Sequence, residues 1–390
     1  MIGRQNSFAA QGPTRDGDRV GSSTTVILKL ERFVWILMYL VLATAGSVFA
    51  FHDQGAGSCG GCHVTHNSVD GQPVVTADGE WLLRAESPSD LCLTCHAENL
   101  GSVFGTDPLS PPPEKGAGNF VFLLEDNLND SPDGRSEPIP GDAAGHNLFA
   151  PGHGLMPDAR FAQSPGGTFP AGQLGCTSCH DPHGNANFRM LHADGPIMEG
   201  LFTFISPAPL ADGLAIEFET ESRSNHSAYQ AGMSAWCGNC HGRDYHERNR
   251  SSEFEHPADR PMAAGSRKKY DDYEGDENPY GGAAATSYLP EVPFEEMTNT
   301  VSSTRGPGSG ARVMCLSCHR AHASSSPAAG RWDFRVARLQ EDGVVSGSYA
   351  MPNPYPSPNQ GPLCQKCHSY RREPWWITGA ESDTGSFPER

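Results

Sequence analysis

Apolar residues form few long runs in this chain, and one run near the N-terminus differs from the rest. Residues 33–43 read FVWILMYLVLA, with Lys29 and Arg32 upstream and small residues downstream that end at Ala50. A transmembrane helix needs about 20 apolar residues, whereas a shorter run between a basic flank and small residues is typical of a secretory signal peptide. We therefore predict a leader over residues 1–50 that is cleaved after Ala50, so that the protein is exported.

Beyond the leader, the apolar pattern predicts only short elements joined by loops. Apolar spacing and capping residues predict helices over 91–98, 233–248, 313–323 and 362–371. Two apolar runs within 201–218, separated by a Pro/Gly turn, predict a β-hairpin. The predicted fold class is mostly coil with short α-helices and a few short strands, in a single domain over 51–390 with a tail at 371–390.

Composition adds that side chains alone do not make a sufficient core. The chain has 44 Gly and 32 Pro in 390 residues, and only 37% of its residues are hydrophobic. Ordering each residue costs conformational entropy that buried apolar surface must offset. We therefore expect another component to fill the interior, and we expect the chain to be unfolded without it.

The charge balance argues against nucleic acid as a partner. The formal net charge is -18 at pH 7, and loss of the leader, with five basic and three acidic residues, makes it more negative still. Binding to phosphates depends on Lys and Arg side chains that displace counterions. An acidic surface of this kind mainly favours solubility.

The twelve cysteines identify the missing component. They form six Cys-x-x-Cys pairs, and a histidine follows each pair directly. Cys-x-x-Cys alone would also suit zinc or a redox dithiol, but six successive Cys-x-x-Cys-His motifs indicate six covalently bound haem c groups. The attachment residues are Cys59, Cys62, Cys92, Cys95, Cys176, Cys179, Cys237, Cys240, Cys315, Cys318, Cys364 and Cys367, and the proximal iron ligands are His63, His96, His180, His241, His319 and His368.

Ten further histidines are enough to supply a sixth ligand to every iron, which favours electron transfer over substrate binding. Three of them, His66, His183 and His322, lie three residues after a proximal histidine. A residue at this spacing shares one side of a helical turn with the proximal ligand, so it should bind a different haem. The candidates for the sixth position are His66, His146, His183, His246, His256 and His322, with His52 in reserve; His153, His192 and His226 are predicted to be surface residues.

Several segments around the motifs are similar to one cytochrome family. FHDQGAGSCGGCHVTHNS at 51–68, PGGTFPAGQLGCTSCHDPHG at 165–184, CLSCHRAHAS at 315–324 and LCQKCH at 363–368 resemble the OmcS-type hexahaem extracellular cytochromes, which polymerise into conducting filaments. The resemblance extends over nearly the whole mature chain. The long leader, the C-terminal tail and the lengths between motifs depart from the family pattern.

The resemblance implies a specific organisation and location. It implies a continuous chain of bis-histidine haems in alternating parallel and T-shaped pairs, and it implies that His66 ligates a haem of the neighbouring subunit. The expected partners are further copies of the chain, upstream periplasmic or outer-membrane cytochromes, and extracellular acceptors such as metal oxides or electrodes. The expected location is the cell exterior or outer surface, with the periplasm as the alternative.

Two other functions remain open from the sequence. A multihaem reductase would need an iron with an open position, and a soluble periplasmic electron shuttle would need no polymer. We expect an electron-transfer protein rather than an enzyme, because all six motifs carry a ligating histidine and the remaining histidines are numerous.

Overall fold

The computed structural model describes most of the chain between the first and the last haem motif. The described residues are 59–64, 66–75, 82–97, 103–105, 116–127, 143–214, 221–242, 258–334, 336–341, 351 and 353–368. They belong to one unit, Gly57–Arg390. The predicted leader and tail, and the candidates His52, His246 and His256, lie outside these residues.

Short helices and single turns carry the motifs, and the predicted fold class is confirmed. The α-helices are α1 (Cys59–Cys62), α2 (Pro88–His96), α3 (Met233–His241) and α4 (Ala264–Asp272), and the 3-10 helices are Phe120–Asn127, Pro151–His153, Ala171–Gln173, Cys176–Ser178, Phe188–Met190, Met198–Gly200, Cys315–Ser317, Pro327–Ala329, Leu339–Glu341 and Leu363–Lys366. Helix α2 begins earlier than predicted because Ser87 caps it: the Ser87 hydroxyl accepts the Asp90 N–H at 3.0 Å, and Pro88 follows at the first helical position.

The helix predicted over 313–323 is only a 3-10 turn at Cys315–Ser317. The Ser317 hydroxyl accepts the Met314 N–H at 3.1 Å, and the chain leaves the helical path at His319, which forms a β-bridge with Gly330. The Ser317 hydrogen bond caps the start of the turn, and the turn ends because the following backbone pairs with residues 329–331: the Arg320 N–H donates to the Ala329 carbonyl at 2.7 Å and the Arg331 N–H to the Cys318 carbonyl at 2.7 Å. The segment at 362–371 likewise contains a single turn, Leu363–Lys366.

The strands are short and form four separate antiparallel pairs. They are β1 (Ser68–Val69) with β2 (Gln72–Pro73), β3 (Gly195–Ile197) with β4 (Phe202–Phe204), β5 (Leu210–Asp212) with β6 (Ala228–Ala231), and β7 (Arg260–Pro261) with β8 (Arg312–Val313). The first apolar run of the hairpin predicted within 201–218 forms β4 and pairs with the preceding β3, β5 lies between the two runs and pairs with β6, and residues 215–218 of the second run lie outside the described residues.

Buried apolar side chains form four small clusters instead of one core. Cysteines of the haem motifs border every cluster: Cys318, Cys364 and Cys367 border the first, Cys176 the second, Cys237 the third and Cys240 the fourth. The largest cluster surrounds Tyr270, Tyr273, Trp332 and Leu363. The apolar core is thus divided into four clusters, and each cluster packs against at least one cysteine of a haem motif.

Candidate functional site

Each Cys-x-x-Cys-His motif forms one tight turn. In the four motifs outside α2 and α3, the histidine N–H donates to the carbonyl of the first cysteine, at 2.8 Å in the first motif and at 3.0 Å in the other three. The turn brings two thiols and one imidazole to a common side of the backbone, as a single porphyrin requires. No disulfide joins any of the twelve cysteines. The donor set therefore fits covalent attachment followed by axial ligation.

Backbone carbonyls orient the imidazoles of three of these motifs. The Nδ1 atom of His180 lies 2.8 Å from the Arg189 carbonyl, and that of His319 lies 2.9 Å from the Ala328 carbonyl. The His241 Nδ1 lies 3.0 Å from the Pro165 carbonyl. Because a carbonyl only accepts, each Nδ1 carries the proton and each Nε2 keeps its lone pair. Metal-binding histidines in proteins are usually fixed in this way.

Two pairs of imidazoles face each other at a separation that suits one iron between them. The ring centroids of His63 and His183 are 6.4 Å apart, with the planes 7° from parallel, and those of His146 and His241 are 5.9 Å apart with a tilt of 56°. Two metal–nitrogen bonds of about 2 Å each, with the ring radius added, require a centroid separation of about 6 Å. Both pairs therefore match the spacing of axial ligands.

His146 reaches its position through the strand-like contact between residues 145–146 and 321–323. Its N–H donates to the His322 carbonyl at 2.9 Å, and its Nδ1 lies 2.7 Å from the Ala321 carbonyl. The His146 side chain stays exposed to solvent, but desolvation by the surrounding chain, with the nearby His241, lowers its pKa. The imidazole is therefore neutral at pH 7, which is the form that binds a metal.

His322 is a half-buried imidazole on the same contact. Its ring stacks on Phe120 at 4.5 Å between centroids, and burial, together with the nearby His180 and His146, lowers its pKa to about 3. Its Nδ1 is a buried atom without a hydrogen-bond partner in the described part of the chain. A half-buried, neutral histidine near His180 suits the sixth position of that iron.

The other predicted candidates differ in what surrounds them. His66 is exposed on the turn that precedes β1, where the Asn67 amide makes two 3.0 Å hydrogen bonds to Val75 and braces the turn. The structure brings no second imidazole against His66 within the described residues. His183, the partner of His63, is itself largely exposed, with 82% of its side-chain surface accessible.

The three histidines predicted to lie at the surface, His153, His192 and His226, are all less exposed than His183. His226 is fully buried, with Nδ1 3.0 Å from the Ser227 carbonyl, Nε2 2.8 Å from the Ser303 carbonyl, and its ring 3.7 Å from Tyr288. His192 is half-buried, and its Nε2 lies 2.9 Å from the Thr177 carbonyl. In both, the nitrogen that would bind iron is already engaged, so they act in packing.

Contacts between cysteines place the motifs in sequence order. The Cys92 thiol lies close to the thiols of Cys176 and Cys62, and the Cys237 thiol lies close to that of Cys315. Cys179 interacts electrostatically with Cys240, and Cys318 with Cys364 and Cys367. Each motif therefore adjoins the next, from the first to the sixth, with no gap.

Two of these junctions repeat the same local structure. In each, a nine-residue helix that carries one haem motif lies next to a 3-10 turn that carries another. A serine three positions before the first cysteine of the helix binds the backbone of that turn. The Ser89 hydroxyl accepts the Cys176 N–H at 3.2 Å, and the Ser234 hydroxyl accepts the Cys315 N–H at 3.1 Å.

The chain after these two 3-10 motifs also repeats. Arg189 and Met190 follow the first and have positive φ, as do Ala328 and Ala329 after the second. The irregular spacing of the motifs hides this repetition in the sequence.

Comparisons with known proteins agree with these observations. The doubled CXXCH motif family matches residues 52–101 and 169–198. The chain is 29% identical to the C-type cytochrome OmcS of Geobacter sulfurreducens over 431 aligned positions, which cover 84% of this chain and 96% of the relative.

Solved structures share the fold. The outer membrane cytochrome S filament of Geobacter sulfurreducens aligns with a TM-score of 0.68, and a structure of OmcS nanowires from the same organism with 0.64; each is 24% identical and covers 82% of this chain and 99% of the solved chain. The resemblance proposed from the motifs is thereby confirmed, and the chain carries covalently bound haem c.

Proposed function

We propose that this OmcS-type c-type cytochrome conducts electrons along six bis-histidine haems and polymerises end to end into an extracellular filament. The observation that carries the proposal is the unbroken succession of haem motifs, in which each attachment site adjoins the next. Haem c supplies an iron that accepts and releases one electron. The chain's own residues determine how close the haems lie and which ligands hold their irons.

The twelve cysteines and six proximal histidines hold the haems in this proposal. His183 ligates the iron opposite His63, and His146 ligates the iron opposite His241, because their ring separations match an axial pair. His322 ligates the iron of His180, to which it lies close. Their lowered pKa values keep His146 and His322 neutral at pH 7, so neither must lose a proton to bind.

Occupied axial positions favour electron transfer over catalysis at iron. A reductase that works on nitrite, hydroxylamine or a similar substrate needs a coordination position that the substrate can enter. The paired imidazoles leave no such position at the irons they share. We therefore propose no reductase chemistry for these haems beyond outer-sphere transfer of electrons to an acceptor.

The end of the molecule that carries the first motif is suited to contact a second copy. His66 is exposed on a turn that is braced by Asn67, and Val69 of β1 is 38% exposed beside it. A ligand on a rigid, exposed turn can reach an iron of a neighbouring subunit. A contact between unlike surfaces that does not close on itself gives an open filament.

The proposed location is the cell exterior, reached through the leader. In the described part of the chain, no helix has the length and apolar character needed to cross a membrane. The proposed electron donors are periplasmic or outer-membrane cytochromes, and the proposed acceptors are metal oxides or electrodes outside the cell.

Replacement of His66 tests the polymer directly. His66→Ala in the holoprotein is expected to shorten or abolish filaments in electron micrographs and to leave one haem per chain high-spin. His192→Asn is the matched control, because it removes a histidine whose Nε2 already binds a carbonyl. Filaments of unchanged length from His66→Ala would refute the inter-subunit ligand, and a monomer with six low-spin haems in the native protein would favour a soluble shuttle.

A further inference from the structure

We propose that His153, a residue outside every haem motif, is the sixth ligand of the iron whose haem is attached at Cys92 and Cys95, and that Asp90 positions it. The sequence gives His153 no distinguishing context, since it lies in a Pro-Gly-His turn far from the nearest motif. This inference rests on the bis-histidine haems of the proposed function, but it does not depend on the polymer.

The hydrogen bonding of His153 is that of a metal ligand. Its Nδ1 lies 3.0 Å from Oδ1 of Asp90, whose side chain is only 7% exposed, whereas the imidazole is 23% exposed. A buried carboxylate accepts the Nδ1 proton and leaves the Nε2 lone pair outward. Ligating histidines commonly donate to a carboxylate in this way. Among the described residues, no group hydrogen-bonds to this Nε2.

The location of His153 indicates which iron it serves. Asp90 belongs to α2, the helix that also carries Cys92, Cys95 and His96. The His153 ring packs edge-on against Phe104 at 5.6 Å, and Phe104 forms a β-bridge with Ala97, the residue directly after His96. His153 is therefore connected to α2 at both ends of the helix: directly through Asp90 near its start, and through Phe104 to Ala97 just after its end.

Elimination supports the same assignment. The irons of His63, His180 and His241 have His183, His322 and His146 close to their proximal ligands. His192 and His226 are excluded because carbonyls engage their Nε2 atoms. Apart from His66, His153 is thus the described histidine without an assigned iron, and its contacts with α2 and Phe104 place it at the haem on that helix.

The carboxylate gives this haem a distinct electronic environment. An imidazole that donates to a carboxylate is more basic than one that donates to a carbonyl, as His146 does to Ala321. A more basic ligand stabilises ferric iron over ferrous iron. The haem on α2 is therefore expected to have a lower midpoint potential than haems whose ligands donate to carbonyls.

The test is ligand removal in the full-length holoprotein. His153→Ala is expected to convert one of the six haems from low-spin to high-spin, as measured by magnetic circular dichroism and electron paramagnetic resonance. The reduced variant should bind one carbon monoxide per chain, and added imidazole should restore the sixth low-spin haem. His192→Asn is the matched control and should keep six low-spin haems without binding carbon monoxide.

Two further variants separate ligation from folding and positioning. His153→Met is expected to keep six low-spin haems while one midpoint potential rises, since thioether ligation favours ferrous iron. Asp90→Asn retains an acceptor for Nδ1 but loses the charge, so six low-spin haems and one raised potential are expected. The Ser87 hydroxyl, 2.8 Å from Oδ2 of Asp90, can accept from the new amide, which preserves the helix cap.

The outcomes decide each half of the proposal. Six low-spin haems and no carbon monoxide binding in His153→Ala would overturn the ligand assignment. Unchanged potentials in Asp90→Asn would overturn the positioning role of the carboxylate. Filament length is scored separately in every variant, so failure of the polymer and failure of this assignment are distinguishable.

Discussion

The imidazole of His183 lies opposite the imidazole of His63, with 6.4 Å between the ring centroids and 7° between the planes. The two residues belong to different haem motifs, the third and the first. In the proposed assignment, a histidine three residues past one proximal ligand binds the iron of another motif. Because the third motif supplies a ligand to the haem of the first, the two attachment sites are linked through a short piece of backbone.

Removal of His183 should open one iron within each chain. His183→Ala is expected to leave the haem at Cys59 and Cys62 with five ligands, so that one of six haems becomes high-spin in both monomer and filament. Magnetic circular dichroism of the ferric protein checks this, with His192→Asn as control. If all six haems stayed low-spin, the facing rings would not be an axial pair.

A single methyl group at Gly145 should disturb two irons. A Cβ at this position would lie 2.5 Å from the Ala323 Cα and would also overlap the His322 carbonyl. The backbone must move, and it carries both His146 and His322. Gly145→Ala is therefore expected to produce up to two high-spin haems per chain, as measured by carbon monoxide binding.

Gly172→Ala is the matched control for that substitution, because a Cβ there meets nothing within 4 Å. It should keep the spectrum of the unmodified protein. Equal spectra for the two variants would contradict the idea that the 145–146 contact positions the ligands.

Glu295 should make stability depend on pH. Burial raises the pKa of this carboxyl from 4.5 to about 7, and its Oε2 lacks a partner among the described residues. Because the folded state favours the protonated form, this stabilisation is complete below about pH 4.5 and is lost as the pH rises through about 7. Urea unfolding of the holoprotein between about pH 5 and 8 measures the loss.

Glu295→Gln should remove that dependence. The amide oxygen can still accept the Met233 N–H that now donates to Oε1 at 2.5 Å, and no charge remains to be buried. We expect a gain of about 1–3 kcal/mol at pH 8 relative to the unmodified protein. Glu296→Gln, which changes a half-buried neighbour, is the control. An unchanged pH profile in Glu295→Gln would contradict the assignment.

His226 should matter for stability and not for the haems. Its ring is buried against Tyr288, and both nitrogens face carbonyls. His226→Ala leaves a cavity and removes the hydrogen bond from the ring N–H to one of these carbonyls, so a loss of about 2–4 kcal/mol in the free energy of unfolding is expected. Six low-spin haems should remain, and a new high-spin haem would show instead that His226 is a ligand.

Local sequence predicts the haem motifs but not the partners that orient them. The Cys-x-x-Cys-His motif and the histidine three residues after it occupy a few consecutive positions. Both can therefore be identified from the sequence alone. The carbonyl that orients His241 is 76 residues away, and Asp90 is 63 residues from His153. Such pairs leave no periodic signal, which is why His153 and His226 were predicted to lie at the surface.

Helix lengths were overestimated for a related reason. Apolar spacing around the fifth motif predicts a helix over 313–323, but the backbone after Cys318 pairs with residues 329–331, so the helical path ends after one turn. Apolar spacing also did not predict that β4 pairs with the preceding β3 or that β5 pairs with β6 further along the chain.

The two serine contacts at the repeated junctions fix the distance between haem motifs and leave the connecting loops free to vary. Ser89 and Cys176 are 87 residues apart, and Ser234 and Cys315 are 81 apart. Loops between such points can lengthen, shorten or change composition while the thiols that they connect remain side by side. The rate of electron transfer at these junctions should therefore not depend on the length or composition of the loops. At each junction a single serine hydroxyl holds the two haem motifs at a fixed distance.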